Sequence, residues 1–270
     1  MKKERVDKLV FQAGLTDSRE QAQRLIMAGK VYDRKEQRYD KAGEKIPVDT
    51  ELYIKGEKPK YVSRGGYKLE RAIEAFDIDM TDQILLDIGA STGGFTDAAL
   101  QNGAQLSYAL DVGYNQLAFK LRQDDRVIVM ERQNFRYSEP EDFTKGTPTI
   151  ASIDVSFISL SLILPPLQGI LEADGSVLAL IKPQFEAGPE RIGKNGIIKD
   201  PAVHLAVLDE VLAFIAKIGF GIEEVTYSPI KGGEGNIEFL AHLKNIRQPE
   251  NQTNLSIDTQ KVVKEAHELI

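Results

Sequence analysis

Gln83-Ile84-Leu85-Leu86-Asp87-Ile88-Gly89-Ala90-Ser91-Thr92-Gly93-Gly94-Phe95 is the stretch from which the fold can be read. An apolar run ends in an aspartate, a glycine-rich turn follows, and a helix is expected over 96–102, the strand-turn-helix order of a nucleotide-binding α/β unit. Glycines at such a turn let the main chain approach a ligand, and the first N–H groups of the helix face it. A dinucleotide site would carry G-x-G-x-x-G, and Asp87-x-Gly89-x-x-x-Gly93-Gly94 does not. S-adenosylmethionine (SAM) therefore fits the turn better than NAD. Asp87 is expected near its cationic methionine end, directly or through water, with Gly89, Ala90, Ser91, Gly93, Gly94 and Phe95 forming the turn around it.

Outward from this turn the pattern repeats. A strand over 105–110 ends in Asp111, placed to accept both ribose hydroxyls of an adenosine. A third strand, 127–130, leads to Asn134 and Phe135, which are expected to border the adenine; a fourth, 149–153, ends in Asp154; a fifth, 175–181, ends in Lys182. A final pair is expected at 222–227 and 237–243, with Glu238 at the start of the second. Ligand residues at the carboxyl ends of alternating strands describe an α/β fold, a doubly wound Rossmann-like parallel sheet. The uncharged run from Val155 to Leu171 has nearly the length of a membrane span, but Pro165-Pro166 and Gly169 read as strand end, loop and helix.

Composition narrows the chemistry. Cysteine is absent, which excludes disulfides and thiolate nucleophiles, and with them the attack of a thiolate on a pyrimidine ring. His204, His242 and His267 show no ligand spacing, so no metal is expected. Methylation of an exocyclic amine would call for an Asp/Asn-Pro-Pro-Tyr/Phe motif after the fourth strand; Asp154-Val155-Ser156-Phe157 stands there instead. Lys182-Pro183-Gln184-Phe185 lifts a lysine out of an apolar strand at the cofactor edge. A lysine that is partly desolvated or beside a second one can take or share the proton of a weakly acidic hydroxyl. Lys182 is the candidate for that task, Lys68 for the second lysine, and Asp154 and Glu238 for orienting the two amines. The loop 184–200, rich in glycine and charge, reads equally as an RNA-facing lid or a solvated loop.

Charge is unevenly placed. Residues 1–60 carry a net +4 and the rest of the chain a net −11. Polyphosphate binding depends on local clusters, because distant exposed charges are screened. In this basic stretch a helix is expected over 5–13, a second capped by Asp17-Ser18 and ending at Gly29, and strands at 30–33 and 51–54. Arg5-Val6-Asp7, Ser18-Arg19-Glu20-Gln21-Ala22 and Ile26-x-x-Gly29-Lys30-Val31 resemble the S4 RNA-binding domain. The resemblance implies that Arg5, Ser18, Arg19, Gln21, Arg24 and Lys30 face RNA phosphates.

Lys68, Asp154, Lys182 and Glu238, in that order, resemble the Lys-Asp-Lys-Glu tetrad of the FtsJ-like ribose 2′-O-methyltransferases. With Val62-Ser63-Arg64-Gly65-Gly66, Asp154-Val155-Ser156-Phe157-Ile158-Ser159 and the leading S4 string, the chain resembles the TlyA family. That resemblance implies 2′-O-methylation of cytidine in rRNA, with ribosomal subunits or rRNA as partner, and adds Ser63, Gly65 and Val112 to the cofactor residues. The nucleotide loop has Ala90-Ser91-Thr92 where Ala-Pro is common in FtsJ-like proteins. The expected organisation is an S4-like domain over 1–57, a linker over 58–62, the methyltransferase domain over 63–245, and a polar connector with a terminal helix over 246–270. That helix offers Val262, Val263, Ala266 and Leu269 as its apolar face. The charged N-terminus does not read as a signal peptide, and a cytoplasmic location is expected. Because the family is often labelled hemolysin, a membrane-active protein is the alternative from another class; a non-catalytic RNA-binding assembly factor is a further one.

Overall fold

The computed structural model describes residues 2–16, 18–56, 59–232, 235–247 and 257–270. Asp17 of the expected helix cap, Lys58 of the expected linker, Gly233 and Glu234 between the last two expected strands, and 248–256 of the polar connector lie outside the described residues. The chain forms two compact units, Met1–Pro59 and Lys60–Ile270.

The first unit runs β1 (Lys3–Arg5), α1 (Val6–Gln12), α2 (Arg19–Met27), β2 (Val31–Asp33), β3 (Arg38–Tyr39), β4 (Lys45–Pro47) and β5 (Leu52–Ile54). β2 pairs antiparallel with both β3 and β5, and β1 with β4. Val6 and Val10 of α1 and Ala22 and Ile26 of α2 fall at helical spacing and close on Val31, Tyr39 and Ile46 as one small core. Ser18 caps α2 by accepting the Gln21 N–H.

The second unit begins with α3 (Gly65–Ala75), β6 (Ile84–Ile88), α4 (Gly94–Gln101), β7 (Leu106–Asp111), α5 (Phe119–Arg122) and β8 (Val127–Glu131). β9 (Ile150–Ile153), α6 (Leu164–Ile170), β10 (Ser176–Ile181), α7 (Pro183–Glu186), α8 (Pro201–Lys217), β11 (Gly221–Tyr227), β12 (Phe239–Lys244) and α9 (Thr259–Leu269) complete it. Seven strands form one sheet in the order β11-β12-β10-β9-β6-β7-β8. β10, β9, β6, β7 and β8 are parallel, and β12 runs antiparallel to β10 and β11. Both faces are covered, which explains the unbroken apolar strands. Leu85, Leu178 and Leu180 pack on one face with Leu69 and Ala72 of α3 and Ala98 of α4. Their alternating neighbours Leu86, Val177, Ala179 and Ile181 meet Leu164 and Leu167 of α6 and Val207 and Leu208 of α8 on the other.

Three boundaries differ from the sequence reading. β12 begins at Phe239, so Glu238 precedes the strand and belongs to the loop at its mouth. The run Val155–Leu171 comprises a loop, a 3-10 turn at Leu160–Leu162 and α6. α9 buries Val263 and Ala266 but leaves Leu269 68% exposed, while Ile270 after it packs against the core.

Candidate active site

The strand order turns at β6, which lies between β9 and β7, and crevices at such a reversal open at the carboxyl ends of the strands. The loops there are closely set. Gly89 has φ +88°, and a Cβ on it would lie 2.5 Å from the Asp154 carbonyl oxygen, so only glycine lets the loops after β6 and β9 approach this far. Gly93 has φ +92°, and its Cβ would meet Leu121 at 2.3 Å. The left-handed backbone is what calls for glycine at Gly93, which lines neither cavity described below; this departs from its expected place beside the cofactor. Ser91, itself left-handed at φ +48°, donates its N–H to Asp111 Oδ2 at 2.7 Å, and Gly113 donates to Oδ1 at 2.6 Å. The Asp111 carboxylate thus fastens the first turn to the second.

Two adjoining cavities occupy this edge. The first, about 460 Å³, is walled by Ile88, Leu110, Phe135, Ile158 and Ile163, with Asp111, Val112, Gln133 and Asn134 at its polar side. The second, about 350 Å³, is walled by Ser63, Arg64, Gly65, Ala90, Gly94 and Phe95, with Lys68, Lys182, Lys231 and Glu238. Gly89, Ser91, Asp154 and Ser156 line both. Phe135 is 2% exposed in the cavity wall, whereas Val112 is 69% exposed at the rim. Asn134 accepts the Arg136 N–H and so shapes the turn that carries Phe135.

Four charged side chains meet at the second cavity. Lys182 Nζ lies 2.5 Å from Asp154 Oδ1, and Lys68 Nζ lies 2.6 Å from Glu238 Oε2 and 3.6 Å from Asp154 Oδ2. Lys68, Lys182 and Glu238 are only 8%, 7% and 2% exposed. Two cations and two carboxylates neutralise one another, which is what permits charge at such depth. Asp154 bridges both lysines, and Lys182 also donates to Ser156 Oγ at 3.1 Å. Each amine is therefore aimed rather than free to rotate. The backbone over Glu238 is close as well: a Cβ on Gly232 would fall 2.0 Å from its Oε1.

Asp87 behaves differently from its expected role. It is 0% exposed and lines neither cavity. Oδ2 accepts the Thr96 N–H at 3.1 Å and the Thr96 hydroxyl at 2.8 Å, while Oδ1 accepts the Ser152 hydroxyl at 3.0 Å. Both oxygens are spent on tying β6 to α4 and β9, and burial pushes the carboxyl up to about 6.

In the first unit the expected RNA-facing residues fall into two kinds. Arg5 and Arg19 both reach the buried Asp7, at 2.9 Å each, and Gln23 adds a third donor. Ser18 is the helix cap and Gln21 supplies the capped N–H. Arg24 and Lys30 are exposed, with no ion pair among the described residues.

Sequence reasoning did not single out Ser156, Arg64 or Lys231 as walls of the site. Ser156 carried a signal, because it stands two residues after Asp154 on a loop beside Lys182; Arg64 and Lys231 reach the cavity only through loop paths that periodicity does not encode. No helix among the described residues is long and apolar enough to cross a membrane.

Comparison with known proteins agrees with this architecture. The S4 domain matches residues 4–32. The chain is 56% identical over 270 residues to the protein named "Putative rRNA methyltransferase YqxC" of Bacillus subtilis, covering 100% of this chain and 96% of that one. It is 39% identical over 246 residues to 16S/23S rRNA (cytidine-2′-O)-methyltransferase TlyA of Mycobacterium tuberculosis, covering 89% of each. The solved structure titled "Putative hemolysin from Streptococcus thermophilus" superposes with a TM-score of 0.77 at 58% identity, covering 99% of this chain and 97% of that one. With residues 61–245 matched by the FtsJ-like methyltransferase family, the chain belongs to that family and carries an S4 domain at its N-terminus.

Proposed function

We propose that the protein methylates a ribose 2′-hydroxyl of rRNA, on a cytidine, with SAM as methyl donor. The observation that carries this reading is the neutral cluster Lys68-Asp154-Lys182-Glu238 in the wall of a cavity that adjoins a second, more apolar one. The relatives named as rRNA (cytidine-2′-O)-methyltransferases supply the choice of substrate.

The residues present fit SAM. The apolar cavity suits a purine, with Phe135 and Ile158 as walls, Asn134 at the purine edge and the Asp111 carboxylate for the two ribose hydroxyls. Ser63, Gly65, Gly89, Ala90, Ser91, Gly94 and Phe95 border the neighbouring cavity, where the methionine portion would lie next to Asp154. When bound, SAM supplies a methyl group on a sulfonium, which an oxygen nucleophile accepts by in-line displacement.

The chain's own part is to place that oxygen and manage its proton. Lys182 Nζ, fixed by Asp154 and Ser156, has a third direction left for the ribose oxygen and holds it for attack. Lys182 passes one N–H proton to Asp154 Oδ1 and, as the neutral amine, takes up the hydroxyl proton, so that the proton released on methyl transfer ends on the Lys182-Asp154 pair. Lys68, anchored by Glu238, keeps Asp154 from turning away and balances its charge. Arg5, Arg19, Arg24 and Lys30 of the S4 unit hold RNA phosphates, and phosphate contacts position a substrate without selecting its sequence. Work on rRNA places the protein in the cytoplasm.

The test is to map 2′-O-methyl groups on rRNA from a strain lacking the gene, and from the same strain carrying either the wild-type chain or Lys182→Ala. A cytidine mark that disappears, returns with the wild-type chain and stays absent with the variant is the expected result. Restoration of the mark by Lys182→Ala would exclude the assigned role.

A further inference from the structure

Glu186 stands four residues after Lys182 and touches neither cavity, yet its carboxylate is spent on the loop that carries Asp154 and Ser156. Oε1 accepts the Leu160 N–H at 2.9 Å, and Oε2 accepts the Ser159 hydroxyl at 2.7 Å. β9 and β10 are parallel neighbours, so their following loops lie side by side. Lys182 joins those loops at one end through Asp154 and Ser156; Glu186 joins them at the other through Ser159 and Leu160. Phe157 sits between the two ties.

Phe157 explains why two ties are needed. Its φ is +62°, a left-handed conformation that a bulky side chain adopts only under constraint, and it is 90% exposed, so burial of the ring does not hold it there. Its ring lies 5.0 Å from that of Phe185, the residue before Glu186. A loop bent this way relaxes when one tie is cut. Relaxation would carry Ser156 and Asp154 away from Lys182 Nζ. A half-buried carboxylate with no cation beside it among the described residues is costly, and burial raises its pKa, so its retention here calls for a task.

We propose that Glu186 is a positioning residue for methyl transfer: it clamps the 156–160 loop to α7 and thereby keeps Asp154, Ser156 and Lys182 in register. The inference rests on the tetrad reading given above, and the experiment separates the two.

Single-turnover methyl transfer to rRNA is measured for the full-length chain and for Glu186→Ala, Glu186→Gln, Ser159→Ala, the Ser159→Ala/Glu186→Ala double variant and Lys182→Ala, with SAM affinity from calorimetry. Glu186→Ala is expected to slow the chemical step ~10- to 30-fold, the scale of a sub-ångström misplacement, while SAM affinity changes less than about threefold. Glu186→Gln should return to within about threefold of wild type, because its amide oxygen can accept the Leu160 N–H while its NH₂ donates to Ser159. Ser159→Ala should cost about threefold, and the double variant no more than Glu186→Ala alone, since both cut the same clamp. If Glu186→Ala does not fold, Ser159→Ala and Glu186→Gln decide. Full speed in Glu186→Ala with Lys182→Ala inactive would overturn the clamp and leave the tetrad standing. Multiplicative losses in the double variant, or a glutamine variant as slow as the alanine one, would also overturn it. An active Lys182→Ala would remove the tetrad reading itself.

Discussion

Asp7 in the first unit and Asp87 in the second are both 0% exposed, yet their charge is handled in opposite ways. Hydrogen bonds from Arg5 above all, with Arg19 and Gln23, hold the Asp7 carboxyl well below the usual range despite burial. Asp87 has two hydroxyls and one N–H but no cation among the described residues, and burial pushes it up to about 6. Desolvation acts on both; partner charge decides the sign. Asp154 shows a third arrangement, in which two lysines and two carboxylates balance. Excess cation leaves a positive surface, balance fixes the direction of a buried amine, and absence of cation makes a structural tie.

The balanced cluster gives the largest expected effect. Lys182→Ala removes one cation and leaves Asp154 and Glu238 facing Lys68 alone. Methyl transfer to rRNA should fall ~10³-fold in single-turnover assays, the scale of a lost acid-base or orienting group. A fall below tenfold would mean that balance at Asp154 serves stability rather than reaction. Asp7→Ala comes next, because it strands two guanidiniums that are each about 40% exposed. Urea denaturation should show a loss of about 3 kcal/mol, the lower end for breaking a buried pair. The folded pKa of Asp7 lies below its unfolded value, so its contribution is present above about pH 4 and is lost as pH falls through the folded value.

The pH dependence contributed by Asp87, which Asp87→Asn removes, should have the opposite sign. The folded carboxyl, at about 6, lies above the ordinary aspartate value of 3.8 that holds in the unfolded chain, so the native state binds the extra proton between these two limits. Stability contributed by Asp87 is then fully present below pH 4, declines as pH rises to 6, and is flat beyond. The wild-type chain should therefore lose about 2 kcal/mol relative to Asp87→Asn between pH 4 and pH 7, read from paired denaturation curves. An unchanged gap would remove the contrast between the two aspartates.

What the sequence made legible follows the same division. The parallel sheet could be read because five strands are apolar runs, four of which end or lead into a charged residue at the ligand edge, as at Asp111, Asp154 and Lys182. Asp154 and Lys182 could be named for that reason, and Glu238 from its place at the start of the last expected strand; Lys68, on a helix, was named as a second lysine beside Lys182, and the resemblance to a known motif joined the four. The direction of Asp87 was not legible, since Thr96 and Ser152 reach it from a helix and a neighbouring strand and no local pattern announces them. Glu186 was hidden likewise: its partners lie on the loop after β9, and its own helix has only four residues. The short strands β1, β3 and β4 have two or three residues, too few to show a period of two.

The smallest expected effects concern the cations that Asp7 does not hold. Arg19 is oriented by Asp7, whereas Arg24 and Lys30 are exposed without an ion pair among the described residues. If α2 and the turn after it face RNA, Arg24→Ala and Lys30→Ala should each weaken binding to rRNA by about threefold to tenfold and leave the denaturation midpoint unmoved. Each should also lower the slope of log affinity against log salt by about 0.7 to 0.9, the release of one counterion per lost phosphate contact. Arg19→Ala should lower the slope by a similar amount but shift the midpoint too, because it also removes half of the charge that stabilises Asp7. The pairing of the two readouts is what separates the cases. A slope that moves only with Arg19 would confine the RNA grip to the Asp7 cluster; a slope that moves with none of the three would take α2 off the RNA altogether, and the excess cation around Asp7 would then be a feature of folding alone.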